Sequence, residues 1–403
     1  MDVSPFHLGF ACVWDAEPAK TWSGTPSHLL QALESQRQTS VHNVNCALAP
    51  SHKRLFQALG MGFQGGKRVS RYRFLPSYIR AVEKQCEREV RRVQQQQQAR
   101  RNVQSSSIDA MLQIGDIAAL QDIPTFTYQD VAVHYLLQSL RQKGKPVPMF
   151  AQYREKELVR RWERQARYYA ECAGIFTMSD WLKNYLVTNN LAPADKIHTV
   201  HAGTNVPPMA DKTLFNKASS EKKTILFVGR DFERKGGDVV VQAFIRLQRQ
   251  FPQSVRLVIA GPQRWENCAT GLAAVPEGIE FLGDADYSTL RGYFSTADVF
   301  CMPSRFEAFG IVFVEALSNG VPCIGRNCYA MPEIITHGQN GYLLDENAEG
   351  SEAASQLASL LAAVLENRTM KTFVEEHRLQ TAAYYSWNRV AAQMREVITM
   401  EHR

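Results

Sequence analysis

The sequence predicts an α/β protein of two Rossmann-like domains facing one another across a cleft, and three observations carry that prediction. The chain has 403 residues, well beyond the size at which a single hydrophobic core stops growing. Short apolar runs alternate with helical patterns in both halves, as in a mostly parallel sheet covered by helices on both faces. Several of those runs end in glycine or polar residues, at the strand ends where open α/β sheets hold ligands.

In the first half, Leu8 to Val13 reads as a strand. The turn Ser23, Gly24, Thr25, Pro26 then opens a helix carrying Leu29, Leu30 and Leu33. A glycine turn leading into a helix brings backbone N–H groups toward a crevice and favours a negatively charged or highly polar ligand, so Gly24 and Thr25 are candidate ligand-binding residues. Residues 74–100 form a charged helix that runs into the tract QQQQQARRNVQSSS, expected as an exposed helix end or mobile loop because it has little to bury. AMLQIGD and IPTFTYQD read as successive buried strands, HYLLQSLR and YREKELVRRWERQARYYAEC as helices, GIFTMSDWLKNYLV as a strand and helix, and DKIHTV as a strand. The Gly, Asn, Pro-rich connector near 203–222 is the natural domain boundary.

The second half starts again with KTILFVGR, a helix from KGGDVVVQAFIRLQRQFP, and the strand VRLVIAGP. IEFLGD, ADVFCMPS and VPCIG supply further strands, and two helical stretches close the chain. In the last of these, Trp387, Val390 and Met394 share a face suited to core packing.

Composition narrows the function classes. No apolar run reaches 18 residues, and the first twenty residues lack a basic region ahead of an apolar stretch, so neither a spanning helix nor a secretory signal is expected. The eight cysteines show no CxxC pairing or zinc-like spacing, so no metal, cofactor or disulfide framework is expected, and a cytoplasmic setting follows. From Lys53 to Arg101 there are 13 Lys or Arg against 3 Glu, a net of +10. That charge suits a solvated helix surface, an anionic membrane face or a phosphate-bearing acceptor. Peripheral contact with the inner face of a membrane is therefore an open expectation, while no nucleic acid partner is expected.

The strongest local signal is PSRFEAFGIVFVEALSNGVPCIG. If the turn from Ala308 to Gly310 opens a helix, its free N–H groups suit donor phosphates, with Glu307 ahead of the helix and Glu315 about two turns along it. Arg230 and Lys235 follow a strand directly in GRDFERKGG, so one strand-end loop can bring both cations to the same crevice. Two fixed cations plus helix N–H groups can stabilise a departing diphosphate as a metal ion would.

GRDFERKG, the AGP after the next strand, FLGD, the block from ADVF to PCIG, and NGYLL cover most of residues 223–345 in order. On these pieces the second half resembles the family-four, or group 1, retaining glycosyltransferases of GT-B fold. The resemblance implies an N-terminal acceptor-binding domain over 1–205, a nucleotide-sugar donor domain over 206–383, and a helix over 384–403 packing toward the N-terminal domain. It implies that Arg230 and Lys235 contact the donor diphosphate, supported by Phe309 and the Gly310–Ile311 backbone. It further implies that Glu307 contacts the transferred sugar, that Glu315 holds the ribose, and that Gly261, Pro262 and Leu282, Gly283, Asp284 line the base side. The activity implied is retaining transfer of a hexose from a UDP- or GDP-linked donor to a hydroxyl acceptor: a saccharide, lipid-linked or small-molecule.

The N-terminal half departs from the family pattern. Gln129 occupies the usual histidine position and cannot act as an acid or base. Asp130 becomes the candidate orienting or catalytic residue, with His134 second. That departure motivates the alternative of a nucleotide-sugar binding or regulatory protein without turnover, and an unrelated two-domain α/β enzyme such as a phosphorylase or epimerase is a third reading.

Overall fold

In the computed structural model, which describes residues 6–101, 108–143, 146–208, 222–268 and 272–401, the chain divides into two compact units. One comprises Met1–Gly203 with Trp387–Arg403, the other Thr204–Ser386. The end of the glutamine-rich tract at 102–107 and most of the connector, 209–221, lie outside the described residues.

The first unit runs β1 (Phe6–Cys12), α1 (Thr25–Glu34), β2 (Thr39–Asn45), α2 (Pro50–Leu59), β3 (Met61–Gln64), β4 (Lys67–Ser70), α3 (Pro76–Arg101), β5 (Ala110–Ile114), β6 (Thr125–Gln129), α4 (Val133–Lys143), α5 (Glu155–Glu171), β7 (Gly174–Thr177), α6 (Asp180–Thr188) and β8 (Ile197–Thr199). Its main sheet is parallel throughout, in the order β2-β1-β5-β6-β7-β8. Strands β1, β5, β6 and β7 are buried almost completely, which is why they read as continuous apolar runs.

Three features were not legible in the sequence. Strand β2 has only Val44 buried, so it lacks the apolar signature of its neighbours. Helix α2 has no buried residue, and β3 and β4 form a separate antiparallel hairpin. Of the two expectations for the glutamine tract, helix end or mobile loop, the structure shows the first: α3 stays helical through the glutamines to Arg101. Gln97 is held there by its amide nitrogen, 2.6 Å from a ring nitrogen of His42.

The second unit runs β9 (Lys223–Val228), α7 (Gly237–Gln250), β10 (Val255–Ala260), β11 (Ile279–Gly283), α8 (Tyr287–Thr296), β12 (Val299–Cys301), α9 (Ile311–Ser318), β13 (Cys323–Arg326), α10 (Met331–Ile334), β14 (Gly341–Leu344), α11 (Gly350–Glu366) and α12 (Arg368–Tyr384). Its sheet is also all parallel, in the order β11-β10-β9-β12-β13-β14. Counted within the unit this is 3-2-1-4-5-6, so the winding direction reverses between β9 and β12. A crevice opens outside the carboxyl ends of the two strands flanking such a reversal. The last helix, α13 (Trp387–Glu401), belongs to the first unit and packs on α1. Its Trp387, Val390 and Met394 are buried.

Candidate functional site

The loops leaving β9 and β12 hold the predicted donor residues. After β9 the chain passes Gly229, Arg230 and a short turn before Gly236 caps α7. After β12 it passes Pro303, Ser304 and Glu307 before Gly310 caps α9. The two loops are bolted together by polar contacts. Arg234 bonds Asp231 at 2.7 Å and donates to the Phe306 carbonyl at 2.8 Å. Arg305 grips Asp238 through two bonds of 2.7 Å each, a bidentate geometry that fixes direction as well as distance.

Within this frame the Lys235 ammonium contacts the Glu307 carboxylate. The same carboxylate lies 3.4 Å from the Ser304 hydroxyl and 4.0 Å from Arg234. Both members of the Lys235–Glu307 pair are largely withdrawn from solvent, with side chains 14% and 13% exposed, so water screens their attraction less than at an open surface. Gly310 adopts φ +94°, a conformation that glycine enters without a Cβ penalty. That turn starts α9, whose first N–H groups have no intrahelical partner and whose dipole favours an anion at this end.

Arg230 takes a different course. It is mostly exposed and its guanidinium bonds Asp284, at the end of β11, with distances of 3.0 and 3.1 Å. Gly261 brings the intervening strand end close. Its N–H donates to the Gly283 carbonyl at 2.7 Å, and at its φ of +122° a Cβ would lie 2.5 Å from the Gly229 carbonyl carbon. Gly229, Gly261 and Gly283 thus form a bare row across the carboxyl ends of β9, β10 and β11, with Pro262 and Leu282 beside it. Phe309, by contrast, is buried and packs near Tyr385, so its backbone rather than its ring borders the turn.

Glu315 is the fifth residue of α9, one turn from the helix start, which corrects the expected two turns. It is almost fully buried and accepts a 3.3 Å hydrogen bond from the Asn205 N–H. Burial pushes its carboxyl up to about 7, and the backbone N–H groups of Asn205 and Val206 only partly offset that rise.

In the first unit, Gly24 has φ +82° and caps α1, with Thr25 buried behind it. Gln129 is buried, its carbonyl oxygen accepting from the Tyr169 hydroxyl at 3.0 Å. Asp130 follows, half-buried at the end of β6. His134 sits in the first turn of α4, its Nδ1 2.8 Å from the Tyr185 hydroxyl and its ring against Trp162. Burial, with a smaller contribution from Arg141, holds its pKa below the usual histidine value. His134 is therefore engaged in packing between helices.

Sequence reasoning passed over several residues that shape these sites. Arg234 and Ser304 lie inside the quoted motifs, and the three-residue spacing from Ser304 to Glu307 was the available signal. Asp116 closes AMLQIGD, so its polar place at a strand end was the available signal. It is buried at the end of β5, where Arg161 clasps both carboxylate oxygens at 2.6 Å and Arg164 reaches one at 3.3 Å. Among the described residues no group of His, Cys, Asp or Glu is arranged to hold a metal ion, and no helix is long and apolar enough to cross a membrane.

Comparison with known proteins adds to this geometry. Residues 211–380 match the family model described as glycosyl transferases group 1. A phosphatidyl-myo-inositol mannosyltransferase of Mycobacterium tuberculosis is 30% identical over 197 residues, 48% of this chain and 52% of that protein. A D-inositol 3-phosphate glycosyltransferase of Jonesia denitrificans is 26% identical over 242 residues, 56% of each chain. The chain spans about half the length of the curated relatives it matches. Among solved structures, sucrose-phosphate synthase from Thermosynechococcus elongatus superposes with a TM-score of 0.66 at 15% identity, covering 98% of both chains. WaaG, a glycosyltransferase involved in lipopolysaccharide biosynthesis, gives 0.61 at 12% identity over 97% of this chain and 99% of its own. Anabaena HepE in complex with UDP and glucose gives 0.60 at 13% identity over 98% and 99%. At these identities the structural likeness establishes the fold, two Rossmann-like units of GT-B type.

Proposed function

Through residues 211–380 this chain belongs to the group 1 glycosyl transferases, and from that premise we propose that it moves a hexose from a UDP- or GDP-linked donor to a hydroxyl acceptor with retention of anomeric configuration. The observation that carries the proposal is the contact of Lys235 with Glu307 beside the start of α9, at the reversal of the second sheet. A cation, a sugar-gripping carboxylate and a helix N-terminus at one strand end match what a diphosphate-linked sugar requires.

In this reading the donor diphosphate lies against the N-terminus of α9, with Lys235 and Arg230 as its cations. Glu307 accepts hydrogen bonds from the sugar hydroxyls. Glu315 serves the ribose, and the Gly261–Pro262 and Leu282–Gly283 backbone lies beside the base. The bond from the anomeric carbon to the phosphate oxygen breaks, the acceptor oxygen bonds to that carbon on the same face, and the acceptor proton passes to a donor phosphate oxygen. The nucleoside diphosphate leaves with its negative charge matched by fixed cations and backbone dipoles. Such preorganised charge is the kind of interaction that strengthens as the transition state forms.

Acceptor recognition falls to the first unit, with Gly24 and Thr25 at the start of α1 and Asp130 at the end of β6. The names of the relatives, which refer to phosphatidyl-myo-inositol and D-inositol 3-phosphate, support a polyol or lipid-linked hydroxyl as acceptor and a place of work at an anionic membrane face. The buried Gln129 favours one second reading, a nucleotide-sugar binding protein without turnover. The test is a panel of nucleotide sugars incubated with the purified chain, followed by mass spectrometry of the products. Nucleoside diphosphate and a new glycoside, both lost in Lys235→Ala and Glu307→Gln, are expected. Tight donor binding with no transfer and no slow donor hydrolysis selects the second reading.

A further inference from the structure

We propose that helix α2 and the β3–β4 hairpin together form a docking element for an anionic phospholipid surface. The proposal deepens the membrane-face reading above and does not depend on where the donor binds.

Four large apolar side chains within nine residues stand in solvent: Leu55 at 56% exposure, Leu59 at 63%, Met61 at 44% and Phe63 at 74%. Helix α2 is anchored by Phe56, which packs edge-on against Tyr78. Leu55 and Leu59, four residues apart, share a face that this anchor leaves uncovered. The hairpin is oriented just as clearly. Gln64 donates to the Ala151 carbonyl at 2.9 Å, and Gly62 lies over the buried Arg71 guanidinium. Side chains alternate along a strand, so Met61 and Phe63 must face away from the protein. Their cross-strand partners Ser70 and Arg68 share that outward face.

Charge accompanies the apolar groups. Arg54, Met61, Arg68 and Ser70 line an open groove of about 470 Å³ between the helix and the hairpin. Neither Arg54 nor Arg68 has a hydrogen-bond or ion-pair partner among the described residues. Lys53 stands next to them, loosely paired with Asp15 at 3.6 Å. Two unpaired guanidiniums flanked by exposed aliphatic and aromatic side chains fit a phosphate headgroup above an acyl boundary. Apolar insertion and headgroup attraction add in such an element. An exposed apolar cluster of this kind on an otherwise polar surface marks an interaction site, and Lys53, Arg54 and Arg68 in a stretch, residues 50–70, without Asp or Glu select a negatively charged one.

Vesicle flotation of the full chain tests this, with no donor present, so that a failure here leaves the transferase reading standing. Vesicles of phosphatidylcholine alone are compared with vesicles containing about one third phosphatidylglycerol, at low and physiological salt. The wild type is expected to float with the anionic vesicles. Leu59→Ala/Phe63→Ala and Arg54→Gln/Arg68→Gln should each weaken binding by at least about fivefold. All the replaced side chains are exposed, so the melting temperature should be unchanged. Absence of wild-type flotation, or equal flotation of wild type and both variants, overturns the proposal. So does a concentration-dependent dimer in sedimentation that Phe63→Ala abolishes, which would make the patch an interface between copies. Complete displacement from vesicles by millimolar inorganic phosphate, with no effect of the apolar variant, would likewise overturn it in favour of a free-phosphate site.

Discussion

The Lys235 ammonium rests on the Glu307 carboxylate, joining residues 72 positions apart in sequence. A pair shared between the loops after β9 and β12 keeps in register the carboxylate proposed to bind the sugar and the cation proposed to bind phosphate. Lys235→Ala is expected to lower kcat by about 10²- to 10³-fold, the range seen when one oxyanion-stabilising donor is lost. Glu307→Gln should lower it too, and the double variant should lose less than the product of the single losses, because the two groups are in contact. Steady-state release of nucleoside diphosphate measures all three, and a kcat equal to wild type in Lys235→Ala would remove the assigned role.

Arg230 is held by Asp284 rather than pointing freely at the turn before α9. On the proposed reading a donor diphosphate must compete with that carboxylate. Asp284→Asn should therefore tighten nucleoside diphosphate binding by about two- to fivefold, the scale of an exposed ion pair, while Arg230→Ala weakens it. Titration calorimetry with the free diphosphate reads both. Unchanged affinity in Asp284→Asn would show that the pair does not oppose the ligand.

Glu315 makes the second unit sensitive to pH. Its folded value of about 7 lies above that of an unfolded glutamate, so between about pH 4.5 and 7 the folded state holds a proton that the unfolded chain has released. Stability should therefore fall as pH rises through that window, by about 2–4 kcal/mol, and level off above it. Denaturant unfolding of wild type against Glu315→Gln across this range checks the sign. The variant should lack the decline, and parallel curves would mean that the carboxyl is not the titrating group.

Asp116 works in the opposite direction. Burial alone would raise its pKa, but the charge and hydrogen bonds of Arg161 and the charge of Arg164 outweigh that and hold it below the ordinary aspartate value. The stabilisation is present above the unfolded pKa of about 4 and is lost as pH falls through the depressed folded value. Asp116→Ala, which strands two shielded guanidiniums, should cost about 3–5 kcal/mol. A melting curve of that variant overlapping the wild type would show that solvent reaches the arginines easily.

Much of this protein was readable along the chain because the decisive signals are local. Buried parallel strands such as Ile225–Phe227 and Leu257–Ala260 are short apolar runs in any register, and the turn at Gly310 followed by an apolar helix announces itself within a few residues. Glu307, Lys235 and Gly261 fall at strand ends for the same reason. Strand β2 escaped because only Val44 in it is buried, and α2 escaped because Leu55 and Leu59 face outward and only Phe56 packs toward the core.

Partners distant in sequence were settled only by the tertiary fold. Nothing near Arg230 indicates that Asp284, 54 residues on, will hold it. Nothing near Glu315 indicates that its carboxylate will meet the Asn205 backbone, 110 residues earlier. Propensity and pattern act over one or two turns of chain, whereas an ion pair or a buried carboxyl depends on which strand ends the sheet order sets side by side. The sequence alone therefore determined the elements and the kinds of group at their ends, and the order of strands in space decided which of those groups meet.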